Sequence, residues 1–83
     1  MNFKKFIEVN NEKSSVGKRV RSVSGEPYNG SFILKISDDA MCYVMRDRES
    51  KKFRWVSANN DGIIESRVID KDDVEMYKIM IKK

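Results

Sequence analysis

Polar and apolar positions in this chain alternate more often than they recur at helical spacing, and the alternation is sharpest from Ser31 to Ser37. There Phe32, Leu34 and Ile36 fall on one face and Ser31, Ile33 and Lys35 on the other, the period of two that a half-buried strand requires. Tyr28-Asn29-Gly30 is the turn that opens into it. Met41, Tyr43 and Met45 then alternate against Cys42, Val44 and Arg46, and Phe53 and Trp55 against Arg54 and Val56. Two further strands are therefore predicted, Met41–Arg46 and Lys52–Ser57, joined by the charged hairpin loop Arg48-Glu49-Ser50-Lys51. Asn59-Asn60-Asp61-Gly62 carries an Asp-Gly turn signal, because glycine supplies positive φ at low cost. Ile63–Ile69 follows as another apolar segment. Upstream, Val16–Val23 reads as the first strand, interrupted at Ser24-Gly25-Glu26-Pro27, where proline cannot donate to a ladder.

The two ends read differently. Phe3, Phe6 and Ile7 sit at i, i+3 and i+4, one apolar stripe on a helix too short to stand without packing on the rest of the chain. Asn10–Ser15 is a polar connector, so residues 1–15 form a helix and connector ahead of a β domain at 16–83. The last segment supports two readings. Asp70, Asp72 and Asp73 before Lys82 and Lys83 have the polarity of a helix with its cap. Glu75, Tyr77, Ile79 and Ile81 alternate with Val74, Met76, Lys78 and Met80, and this pattern favours a final strand. Five to six short strands at roughly ten-residue spacing predict a mainly β fold, a small antiparallel sheet closed into a barrel.

Composition narrows the range of functions. The chain has 83 residues, 40% hydrophobic and 36% charged. One core of that size supports a stability of about 4–12 kcal/mol and leaves little room for a deep enzymatic cleft. No apolar run approaches the roughly 20 residues of a membrane span, and none follows Lys4-Lys5 as a leader would require. A soluble cytoplasmic protein without a membrane partner is expected. A lone cysteine, Cys42, leaves no internal disulfide and fits a reducing compartment.

Net charge is +4, and it is uneven: residues 1–35 hold seven Lys/Arg against three Asp/Glu, whereas residues 61–83 hold five against six. That gradient points to an anionic partner for the first part of the chain. Catalytic sets are missing from the pattern. There is no histidine, so the usual general base and commonest metal ligand are absent. Cys42 lies in an alternating strand without an activating neighbour, and Asp38-Asp39 and Asp70-x-Asp72-Asp73 match turns and caps rather than a calcium loop. Neither a cofactor, a metal nor an enzymatic activity is expected. What remains is basic and aromatic. Lys18, Arg19 and Arg21 lie on the first segment, and Arg46, Arg48, Lys51, Lys52 and Arg54 crowd the central hairpin, with Tyr28 beside them as a stacking candidate. Clustered cations neutralise phosphates and release counterions, and a neighbouring aromatic ring can stack a base.

Gly17-Lys18-Arg19-Val20, Gly25, Tyr28-Asn29-Gly30-Ser31-Phe32 and Asp38-Asp39-Ala40-Met41 together resemble the opening of the SH3-like small barrels, a group that includes KOW, Tudor and Sm-like domains. The resemblance spans Val16 to Ser57 and implies a binding fold whose members touch nucleic acid or peptides. Two functions are therefore expected. The first is a nucleic-acid-binding module using the basic set. The alternative is a protein-interaction module or inhibitor docking on a larger host enzyme or assembly through Asp70, Asp72, Asp73 and Glu75. Abundant Lys, Asn, Asp, Ile and Ser fits an AT-rich genome, and small reading frames of this kind resemble those of bacteriophages.

Overall fold

The computed structural model describes residues 2–11 and 13–82. Helix α1 spans Phe3–Asn10 and is followed by a single 3-10 turn at Lys13–Ser15. Four strands come next, β1 (Phe32–Ser37), β2 (Ala40–Arg46), β3 (Phe53–Asn59) and β4 (Gly62–Ile69), and helix α2 (Lys71–Ile81) ends the chain. The strands form an antiparallel meander in the order β1-β2-β3-β4. This is a mainly β fold with a short N-terminal helix, as the alternation predicts, but the sheet is open and does not close into a barrel of five to six strands.

Two segments account for the difference. Residues 16–23 do not form a strand. Of their apolar side chains only Val20 is buried, at 0% exposure, while Val16 and Val23 are 39% and 41% exposed. Lys18, Arg19 and Arg21 between them are exposed, and the segment is tacked down at single points. The Gly17 N–H donates to Ile33 O at 2.7 Å, the Ile33 N–H donates to Lys18 O at 2.9 Å, and Arg21 bridges Pro27.

The second segment is 71–81, which forms a helix where the alternation favours a strand. Asp70 caps it, its Oδ1 accepting the Asp73 N–H at 3.0 Å. Asp72 and Asp73 occupy the first turn and Lys78 the last, which complements the helix dipole. Val74, Tyr77 and Ile81, at i, i+3 and i+7, make the face that packs on the sheet. Met76, Ile79 and Met80 are 57%, 64% and 60% exposed. An apolar residue on both sides of a helix is what lets the same letters read as a strand.

The sheet has two unequal faces. One is covered by α1 and the 16–31 loop. There Phe6 and Ile7 pack with Val20, Ile33, Met41, Tyr43, Val56 and Ala58, and Phe6 meets Tyr43 edge-on at a centroid distance of 5.7 Å. The other face is covered only at one end, where α2 lays Val74 on Phe32, Val44 and Ile69, with Phe53 and Trp55 half-buried alongside. A register shift between Ile33 and Lys35 breaks the alternation expected of β1. Phe32 and Leu34 therefore join the α2 side, while Ile36 joins Ile33 on the α1 side instead of sharing a face with Phe32.

Candidate nucleic-acid interface

Positioning of the basic residues begins with a buried amide. Asn10, 2% exposed at the end of α1, accepts the Arg21 N–H at 2.8 Å and donates to Arg21 O at 2.9 Å. Its amide also donates to Phe6 O at 2.9 Å. One side chain thus ties the helix to the loop that carries Lys18, Arg19 and Arg21. Ser31 holds the other end of that loop: its Oγ accepts the Val20 N–H at 3.0 Å and donates to Tyr28 O at 2.6 Å. The chain is fixed at Val20, and the flanking cations face solvent.

The central hairpin is fixed by Asp47. Its Oδ1 accepts the Glu49 N–H at 2.9 Å, and hydrogen bonds from the Glu49 and then the Ser50 backbone hold its carboxyl below the usual carboxylate range. The turn closes through Lys51 at φ +63°, a left-handed residue, and presents Arg48 and Lys51 outward.

Three shallow grooves join these pieces. One is lined by Asn29, Gly30, Arg46, Asp47, Arg48 and Lys51. A second lies between the end of α1 and the loop, with Lys18, Arg19 and Arg21 on its walls. The third shares Gly17 and Arg19 with the second and Gly30 with the first, and adds Phe32, Lys78, Ile81 and Lys82. Gly30 is the hinge of the arrangement. It sits at φ +74°, and a Cβ there would lie 3.2 Å from Arg46 Cβ, so a side chain would press on the arginine. Arg19 Nη1 donates to Asn29 Oδ1 at 3.4 Å across the same region.

The structure brings six of the expected cations onto this continuous surface: Lys18, Arg19, Arg21, Arg46, Arg48 and Lys51. Lys52 is exposed but lines none of these grooves. Arg54 is turned to β4, where Nη1 donates to Ser66 Oγ at 3.1 Å. Tyr28 is half-buried and packs on the α1-side core, so its ring is committed to packing. The sequence pattern did not point to Lys78 and Lys82, because both fall in the acidic last third. Their signal was the i, i+4 spacing at the end of a segment capped by Asp70, legible only if 71–81 is read as a helix.

Aromatic rings lie under cations here. The Arg46 guanidinium stands 5.6 Å from the Phe53 ring centroid, and Lys78 Nζ stands 6.0 Å from that of Phe32. Such contacts hold a charged group over apolar surface while leaving its outer side free.

Of Asp70, Asp72, Asp73 and Glu75, only Glu75 approaches the basic seam. Asp70 caps α2, Asp72 is exposed, Asp73 is half-buried, and Glu75 Oε1 lies 3.8 Å from Lys78 Nζ. α2 is therefore acidic at its start and basic at its end. Among the described residues no cluster of three or more His, Cys, Asp or Glu side chains is placed to hold a metal ion, and no helix is long and apolar enough to cross a membrane. Cys42 is half-buried, and burial pushes its thiol pKa up, away from the reactive thiolate. No protein-family model, curated protein or solved structure matches this chain.

Proposed function

We propose that this protein is a non-enzymatic module that binds nucleic acid through the phosphate backbone, along the seam where the 16–31 loop, the β2–β3 hairpin and the end of α2 meet. The observation that carries this reading is the convergence of Lys18, Arg19, Arg21, Arg46, Arg48, Lys51, Lys78 and Lys82 on three adjoining grooves, among whose described lining residues Asp47 is the one carboxylate, with Glu75 beside Lys78. These cations come from three separate stretches of chain, which a solvated charge run would not require. Counterion release then supplies the affinity, and with Tyr28 packed in the core, base stacking contributes little.

Fluorescence anisotropy with short DNA and RNA at about 50 and 200 mM salt tests the reading. If about four phosphates are contacted, the log–log slope is roughly −3 to −4. Replacing Arg46, Arg48 and Lys51 together by Ala flattens that slope and leaves the circular dichroism spectrum unchanged. Binding that ignores salt, or no binding at the lower salt, rejects the proposal.

A second reading, a protein-interaction module or inhibitor, rests on the exposed Met76, Ile79 and Met80 beside acidic Asp72 and Glu75 on α2. Affinity capture after nuclease treatment separates the two: a stoichiometric protein partner that is lost on Ile79→Ser favours the second.

A further inference from the structure

The two edges of the sheet are treated differently. The outer edge of β1 is occupied in part by the 16–18 segment, through the Gly17–Ile33 and Ile33–Lys18 hydrogen bonds. Among the described residues β4 pairs with β3 and with no other strand, and it runs for eight residues, Gly62–Ile69. Natural edge strands are normally blunted with charged side chains, above all lysine, with proline, with bulges or by short length. Of these β4 has the Glu65–Arg67 pair and one bulge. β4 contains neither lysine nor proline, and Ile63, Ile64 and Val68 are 56%, 61% and 52% exposed. A bulge near Ile64 is its one irregularity.

Its sequence is also self-complementary. Ile63-Ile64-Glu65-Ser66-Arg67-Val68-Ile69 reads apolar, apolar, acidic, neutral, basic, apolar, apolar. Laid antiparallel against itself about Ser66, the strand places Glu65 opposite Arg67 of the second copy and Arg67 opposite Glu65, with Val68 toward the bulged Ile64. Opposite charges directly across a ladder are a favourable cross-strand combination. The neighbouring geometry is already set for this. Glu65 and Arg67 lie on the same face, 3.8 Å apart, and the Arg67 guanidinium is held over Trp55 at 4.5 Å from the ring centroid. A second copy would complete a square of four alternating charges on that face. The bulge lies outside the Glu65-Ser66-Arg67 centre of the register.

We propose that the β4 edge is a self-association surface, on which two copies of this chain pair antiparallel about Ser66 into a continuous eight-stranded sheet. The arrangement is isologous and closes as a two-fold dimer, leaving no free β4 edge. The basic grooves lie on other elements, so dimerisation doubles them without covering them.

Sedimentation equilibrium on the full chain across the micromolar range reads the association directly, and a reversible monomer–dimer equilibrium is expected. Glu65→Arg sets like charges across the axis twice and weakens it about tenfold. Combining Glu65→Arg with Arg67→Glu restores opposite pairing and recovers most of the loss. In a Cys42→Ser background, Ser66→Cys places two thiols at a self-opposed position and yields a covalent dimer on mild oxidation, because directly opposed strand residues lie within disulfide reach. Val68→Cys, which lies toward the bulged Ile64, cross-links far less. A chain that remains monomeric throughout overturns the proposal. So does a dimer indifferent to Glu65→Arg, or one that cross-links at 68 in preference to 66.

Discussion

The two faces of the sheet share four strands and differ in how completely they are covered. On the α1 side, Phe6, Ile7, Val20, Ile33, Met41, Tyr43, Val56 and Ala58 are all buried, and the polar groups among them are paired, with Asn10 bonded to Phe6 and Arg21. On the α2 side only one end is closed. Cys42 and Ser57 are half-buried and Lys35, Glu65 and Arg67 are exposed beyond the helix, while the outward side of α2 carries Met76, Ile79 and Met80. The difference separates tasks. The α1 side concentrates the burial that holds the meander in register, which frees the α2 side, the loop rims and the β4 edge to carry charge and exposed apolar groups. A chain this small does not have enough apolar surface to close both faces equally.

Phe6→Ala is the strongest way to break that comparison. Its ring is 2% exposed and meets Tyr43, so truncation leaves a cavity and costs about 4 kcal/mol, a large share of the stability of such a domain. Val74→Ala, the matching change on the α2 side, removes fewer atoms from a shallower cluster and costs about 2 kcal/mol. Urea unfolding measures both; equal losses would mean that the two faces contribute alike.

Alkaline pH sharpens the contrast without a mutation. Burial, with a smaller contribution from neighbouring Tyr28, pushes the Tyr43 hydroxyl from 10.0 up to about 12. The folded state thus keeps a proton that the unfolded chain releases near pH 10. Stability is complete below pH 10 and falls as pH rises to about 12, by on the order of 2 kcal/mol. Thermal melts between pH 9 and about 12 should show the fall, and Tyr43→Phe should remove most of it. Persistence of the full pH dependence in that variant would place its origin elsewhere.

The smallest effect is at the α2 cap. Asp70→Ala removes the acceptor of the Asp73 N–H and costs about 1 kcal/mol. Because α2 presents Lys78 and Lys82 to the basic seam, the same variant should loosen the third groove and weaken nucleic-acid binding modestly. Hydrogen exchange that speeds up in residues 71–81 and leaves α1 unchanged would show that the two covers are held independently.

Much of the meander was legible in the letters. Met41, Tyr43 and Met45 against Val44, and Phe53 and Trp55 against Val56, fall on the faces that period two assigns them. Phe3, Phe6 and Ile7 form the expected helical stripe. The errors share one cause, which is that alternation is a local pattern and coverage is not. Val16–Val23 alternates, yet only Val20 is buried, and the segment meets its neighbours at isolated bridges on either side of the Gly17 and Ser22–Gly25 turns rather than in a ladder. Met76, Ile79 and Met80 alternate with polar neighbours, yet the Asp70 cap and the Val74, Tyr77 and Ile81 spacing decide for a helix. Six of the eight cations of the basic site were visible as clusters in the sequence; the contribution of Lys78 and Lys82 was not, since it depends on α2 crossing the sheet to reach Phe32 and Gly30.

The sequence by itself determined the four strands, the N-terminal helix, the hairpin turns and the basic excess of the first two-thirds. These follow from side-chain period, turn chemistry and composition, which neighbouring residues settle among themselves. Tertiary structure alone decided that the sheet stays open and that 71–81 coils into a helix. It also decided which cations meet in one seam and that the β4 edge is left unpaired. Each of those outcomes depends on what covers the sheet, and covering is a competition among distant segments for a limited apolar surface.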